Sequence, residues 1–232
     1  MVKSVEEHLE KGLQTYSGDT HLLNLETKLA KLMSDSERVL RTLNMSFALN
    51  PRNAYVALRL ARCYQQSEDL PKAQGILTQA LDANSKKELH YAYGKLLLLS
   101  PDASNTVLEY HFKRGYAPGD KNYDAQLLHA RQLYLNGERE QSIELFKQLR
   151  YARISFELRG EPRYPLEKVL HGEVIRLEAQ YYIIRRDGIS DTIYCNRNEN
   201  DTISGNLNVG MRVQFKLAFN MYGPTGIDVI PE

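Results

Sequence analysis

The sequence predicts an α + β protein of two parts: an α-solenoid of stacked helix pairs over residues 1–158, and a small five-stranded β-barrel over 171–232, joined by a linker at 159–170. Three observations carry this reading. The first 150 residues resemble themselves at a shift of 34, as stacked supersecondary units do. Gly160, Pro162 and Pro165 then break helical sequence within a few residues. From Gly172 onward the apolar residues come in short β-branched and aromatic bursts of period two, with no helical stretch between them.

Each element follows in order. At the 34-residue shift Gly12 and Leu13 meet Ser46 and Phe47, which meet Ala80 and Leu81; Ser17 meets Pro51 and then Ser85; Leu23 meets Ala57. Helical spacing predicts helices over 4–16, 20–33, 35–48, 53–66, 70–82, 86–99, 103–114, 122–135 and from 138 to about 156. The breakers are SGD, NPRN, SPDAS and APGD, with Asp35 as a start signal and Pro51 as a stop.

The clearest unit is NAYVALRLARCYQQSEDLPKAQGILTQALDANS, in which Ala57, Leu60, Ala61 and Tyr64 recur on one helix and Ala73, Leu77 and Ala80 on the next. A second is QLLHARQLYLNGEREQSIELFKQL, with Ala130, Leu133, Gly137, Ser142 and Phe146 in the corresponding places. This large–small pattern resembles the tetratricopeptide repeat over about residues 1–150. The stretch between the two units keeps Gly94 but has Thr106 where a small apolar residue belongs, and reads as a degenerate repeat. The first helix corresponds to the second helix of a repeat, which leaves Val5, Leu9 and Leu13 with an open side. The expectation is that this chain is the C-terminal part of a longer protein with further repeats upstream.

In a helix-pair solenoid the first helix of each pair lines the inner face. Lys28, Arg62, Lys95 and Arg131 recur there at matching phase, with Lys31 one turn from Lys28. By resemblance to tetratricopeptide proteins this phase faces a groove that binds extended peptides. The cations would favour carboxylates or phosphates, and Tyr55 and Tyr134 would add flat apolar contacts. The competing reading is a hydrated basic stripe.

In the second part GEVIRLE, QYYIIRR, DTIYCN, MRVQFKLAFN and IDVIPE read as strands, RNENDTISGN as a polar loop and YGPTG as a turn. Met211, Val213, Phe215 and Leu217 share one face. Several elements occur in the order of the cold-shock domain, an OB-fold barrel: Gly172-x-Val174; Tyr181 to Ile184 followed by Asp187-Gly188; Ile193 to Asn196; Gly210-x-x-Val213-x-Phe215; and Gly223-Pro224. The resemblance implies that Tyr181 and Tyr194 stack on single-stranded bases, with Ile183 in place of an aromatic and Asn196 in place of a histidine; Arg176, Arg185, Arg186 and Arg197 would make a local basic patch beside them. Tyr181 and Tyr182 compete for the outward position, because a slip of one residue moves the ring to the other face. Residues 160–232 carry eight Lys/Arg against ten Asp/Glu, unlike a strongly basic nucleic-acid groove. The alternative role of the barrel is to cap the helices or dock a partner, with Arg150, Arg153, Arg159 and Arg163 tethering it to the last helix.

Composition and motifs narrow the function. The net charge of +1 exerts no long-range pull on nucleic acid or anionic membrane. No apolar stretch approaches the ~20 residues of a membrane span. Two cysteines, Cys63 and Cys195, fall in different parts of the chain and suit a reducing, cytoplasmic setting. His8, His21, His90, His111, His129 and His171 form no HExxH or other short metal-ligand motif, and there is no Cys-x-x-Cys, phosphate loop or nucleophile elbow. No metal, cofactor or small-molecule substrate is expected, nor an enzyme. The reading is a protein-interaction and sensor module with a protein or acidic-peptide partner; the alternative is an RNA or single-stranded DNA binder acting through the barrel. By analogy, large multidomain bacterial proteins, including signalling NTPases, carry such repeat arms.

Overall fold

The computed structural model describes residues 2–197 and 207–232, so most of the polar stretch read as a loop lies outside the described residues. The chain divides into two compact units, Met1–Pro118 and Gly119–Glu232.

The first unit holds α1 (Val2–Thr15), α2 (Thr20–Leu32), α3 (Ser36–Leu49), α4 (Ala54–Gln66), α5 (Leu70–Ala83), α6 (Lys87–Leu97) and α7 (Asn105–Arg114). Antiparallel pairs form because one local device recurs. After α2, Ser34 takes a left-handed conformation (φ 58°) and the Asp35 N–H donates to Ala30 O at 2.9 Å. After α4, Glu68 does the same (φ 60°) and the Asp69 N–H donates to Tyr64 O at 2.9 Å. Asp35 and Asp69 then cap the next helix, accepting from the Arg38 and Lys72 N–H groups. Ala57, Ala61, Ala73 and Ala80 are buried, so two backbones approach closely while Leu60 and Leu77 fill the remaining space. Gly94 on α6 shows the extreme case: a Cβ there would sit 2.7 Å from the Phe112 ring of α7. Arg38 of α3 pairs with Glu26 of α2 and Glu6 of α1, and these carboxylates raise its pKa. On α1 Leu9 is buried, Leu13 half-buried and Val5 exposed.

The second unit begins with α8 (Tyr123–Leu135) and α9 (Arg139–Leu149), joined by the same turn with Gly137 at φ 86°. The last helix is shorter than the sequence predicts. It stops at Leu149, and a one-turn α10 (Phe156–Gly160) restarts where the Ser155 hydroxyl caps the Leu158 N–H. The barrel comprises β1 (Val169–Leu177), β2 (Tyr181–Arg186), β3 (Thr192–Asn196), β4 (Arg212–Asn220) and β5 (Gly223–Pro231). It closes in the order β1-β2-β3-β5-β4, with β3 and β5 parallel and the other pairs antiparallel. Two strands are longer than predicted: β1 starts at Val169, and most of YGPTG belongs to β5, the chain reversing at Met221 and Tyr222. Gly172 is required where β1 crosses β2, since a Cβ would lie 2.6 Å from Arg185 O.

The barrel and the α8–α9 pair share one core. Phe219 of β4 stacks on Phe146 of α9 (6.5 Å, 6°) and meets Tyr134 of α8 edge-on at 5.6 Å. The Tyr134 hydroxyl donates to Asp191 at 2.8 Å, and Arg139 pairs with the same carboxylate. Residues between α10 and β1 lie along β4: the Arg163 N–H donates to Phe219 O and the Leu166 N–H to Leu217 O, both at 2.8 Å.

Candidate functional site

Two surfaces gather the residues that the sequence singles out. The first is a cleft of about 670 Å³ in the helical unit. Its floor is Val39, Leu40 and Leu43 of α3; its rim carries Lys31 from the end of α2 and Arg59, Arg62 and Cys63 of α4, with Asp35 and Glu37 opposite in charge. Among the described residues Lys31, Arg59 and Arg62 form no ion pair, whereas Arg38 spends its charge on Glu26 and Glu6. The cleft therefore offers three available cations above an apolar floor.

Of the predicted groove residues, Lys31 and Arg62 come together here. Lys28 is exposed on α2 but does not line the cleft, and Lys95 is half-buried on α6 outside it. Tyr55 is exposed, with the Arg59 guanidinium 5.4 Å from its ring centre. Arg59 and the apolar floor were missed. Arg59 was legible, because it precedes Arg62 by three residues and shares its helical face.

Arg131 and Tyr134 are corrections to the groove assignment. Both are buried on α8, where nine of 13 residues are buried, so neither presents an open surface. The Arg131 guanidinium donates to Gln132 Oε1 at 3.1 Å and lies 5.6 Å from the Phe219 ring. Burial pushes its pKa down to about 10. Its phase matched Arg62, but α8 packs against the barrel as well as α9.

The second surface is the outer face of β1, β2 and β3. β2 pairs with β3 so that Tyr181 lies opposite Asn196, and Ile183 opposite Tyr194. Tyr182, Ile184, Ile193 and Cys195 fill the barrel interior, which puts Tyr181, Ile183, Tyr194 and Asn196 on the outer face. The alternative of an outward Tyr182 is thereby excluded. The Tyr181 and Tyr194 rings stack on each other at 5.2 Å and 27°, and the Arg176 guanidinium lies 5.8 Å from the Tyr181 ring. Both arginines of this face carry a carboxylate partner: Arg176 with Glu178 at 2.8 Å, and Arg185 with Glu173 at 2.7 Å. Both pairs are exposed and screened by solvent.

Among the described residues no group of three or more His, Cys, Asp or Glu side chains is placed to hold a metal ion, and no helix is long and apolar enough to cross a membrane.

Comparison with known proteins agrees with the helical architecture. Residues 35–96 match the tetratricopeptide-repeat family. No curated protein matches the chain. Among solved structures, the pilF protein of Pseudomonas aeruginosa aligns at TM-score 0.51 and 18% identity, over 64% of this chain and 67% of that one. YrrB, a TPR protein with an unusual peptide-binding site, aligns at TM-score 0.50 and 16% identity, over 60% and 71%. The chain thus matches the tetratricopeptide-repeat model over residues 35–96, has a TPR-like fold in its helical part, and continues into a closed five-stranded barrel.

Proposed function

We propose that this chain is a non-catalytic protein-interaction module whose helical cleft receives an extended acidic segment of a partner protein. The observation that carries this is the cleft itself: Lys31, Arg59 and Arg62 on the rim, in no ion pair among the described residues, with Val39, Leu40 and Leu43 beneath them. Carboxylates on a bound segment would meet the rim, and an aliphatic side chain would enter the floor. YrrB, similar in fold, has a peptide-binding site by its own description, which fits this use of the architecture. The test is a titration of fluorescently labelled peptides that combine two or three Asp/Glu with one Leu or Ile. Arg59→Glu with Arg62→Glu should weaken binding by about tenfold or more and leave the melting temperature nearly unchanged, since neither side chain is buried. Equal affinity in the charge-reversed protein, or no binding by any acidic peptide, would reject the cleft as the site.

A second reading concerns the barrel. Its strand order and the outward Tyr181–Tyr194 stack suit an OB-like, cold-shock-like domain that places single-stranded bases on those rings. It stands second because Arg176 and Arg185 are both neutralised by carboxylates on the same face.

A further inference from the structure

The helical unit contains a buried pair of imidazoles that neither proposed surface uses. His90 of α6 and His111 of α7 face each other with their Nδ1 atoms 3.1 Å apart. His90 is 4% and His111 9% exposed. Tyr110 packs edge-on against both rings, and Tyr93 lies against His111 at 4.7 Å. The other nitrogen of His90, Nε2, is 2.7 Å from the Ser85 hydroxyl.

That arrangement has a definite chemical sense. If the His90 Nε2–H donates to Ser85 Oγ, Nδ1 of His90 carries a bare lone pair aimed at His111. A single N–H on His111 Nδ1 then makes the 3.1 Å contact. A ligating histidine in metal sites is fixed in this way, with its outer nitrogen donating to a neighbour. Two imidazole nitrogens on a tetrahedral zinc ion, each at about 2.0–2.1 Å, stand about 3.3 Å apart. The pair is within a few tenths of an ångström of that bite. A cleft of about 290 Å³, lined by both histidines with Asp82, Ser85, Tyr93 and Tyr110, lies against the pair and leaves room for water on a bound ion. Burial lowers the pKa of both imidazoles, that of His111 to about 4; the next cause is Arg114 at His90, and His90 followed by Arg114 at His111.

We propose that His90 and His111 form an open, two-imidazole binding site for a divalent transition-metal ion such as Zn2+, with water completing its coordination. Ion entry replaces the shared proton: His111 moves from its Nδ1–H to its Nε2–H tautomer, and both Nδ1 lone pairs turn to the ion. Two protein donors and the nearby Arg114 keep the affinity well below that of a four-ligand structural zinc site. The ion would tie α6 to α7, the pair in which the repeat pattern is most degenerate.

The test uses the full chain, stripped with a chelator and titrated with ZnCl2. Calorimetry should give one saturable site, and the melting temperature should rise with free zinc. In long-range proton–nitrogen spectra of the wild-type protein, the Nδ1 signals of two histidines should move together. His90→Gln and His111→Gln should each identify one of those signals and lower affinity by about tenfold or more, while His171→Gln on the barrel should leave it unchanged. No saturable binding, or zinc shifts confined to His8, His21 or His171, would overturn the proposal and leave a hydrogen-bonded pair. The wild-type spectra decide the matter even if one variant fails to fold.

Discussion

Replacing Gly94 by alanine sets two effects of known size against each other. Alanine is the better helix former, by about 0.8–1.0 kcal/mol at an interior position, so propensity alone predicts a more stable protein. Packing predicts the opposite. A Cβ at Gly94 lies 2.7, 3.0 and 3.1 Å from three carbons of the Phe112 ring. Carbon atoms in contact prefer about 3.5–4.0 Å, so the ring must retreat by about 1 Å. Phe112 is fully buried. Overpacking of this kind costs about 1–3 kcal/mol. The net expectation for Gly94→Ala is a loss of about 1 kcal/mol, close to the steric cost less the propensity gain.

Urea denaturation followed by circular dichroism reads the helical content as a whole. Amide hydrogen exchange in α6 and α7 reads the affected pair locally, whether or not the two units unfold together. The double variant supplies the control. Phe112→Leu alone leaves a cavity and destabilises, but with Gly94→Ala the new methyl occupies part of that space. The two changes should be less harmful together than their sum, by about 1 kcal/mol. A Gly94→Ala protein that is more stable by the full propensity gain, or strictly additive changes, would refute the close α6–α7 approach.

Two further outcomes are expected. Tyr182 is fully buried in the barrel and its hydroxyl has no hydrogen-bond partner among the described residues; burial raises its pKa. Tyr182→Phe should therefore stabilise by about 1 kcal/mol in thermal unfolding, and a loss of that size would show that the hydroxyl is bonded. On the outer face, Tyr181→Ala and Tyr194→Ala should each weaken any binding of mixed-sequence single-stranded RNA or DNA by about 1–3 kcal/mol in fluorescence anisotropy with the full chain. Submicromolar wild-type binding that both substitutions abolish would make the barrel face the primary site.

The helix pairs were legible because they rest on local chemistry. Asp35 and Asp69 cap the second helices at the repeat distance, and Ala57, Ala73 and Ala80 sit where only small side chains fit. These devices act within a few residues of themselves, so the chain displays them as a period. The inward and outward parity of the strands was legible for the same reason, but not its sign in β2. Tyr181, Tyr182, Ile183 and Ile184 offer an aromatic and a β-branched residue to each face, and only pairing with β3 decides that Tyr182 goes in.

What stayed hidden depends on partners far away in sequence. Arg131 occupies the same helical phase as Arg62, and one repeat alone gives no reason to treat them differently. The difference is Phe219, 88 residues further on, whose ring packs against Tyr134 and Phe146 and lies beside the Arg131 guanidinium. Burying that arginine is tolerable because Gln132 and the Tyr164 carbonyl accept from it and the aromatic ring shares its charge. The same contacts explain the mixed α8–α9 and barrel core. Within this unit the barrel supplies a neighbour that buries apolar surface of the helix pair. In this unit the barrel does for α8 and α9 what another helix pair does elsewhere in a stack of repeats: it covers the exposed side. Lys31, Arg59 and Arg62, which form no ion pair among the described residues, line the cleft of the first unit, which is why the cleft and not the matching phase of α8 is the place to look for a partner.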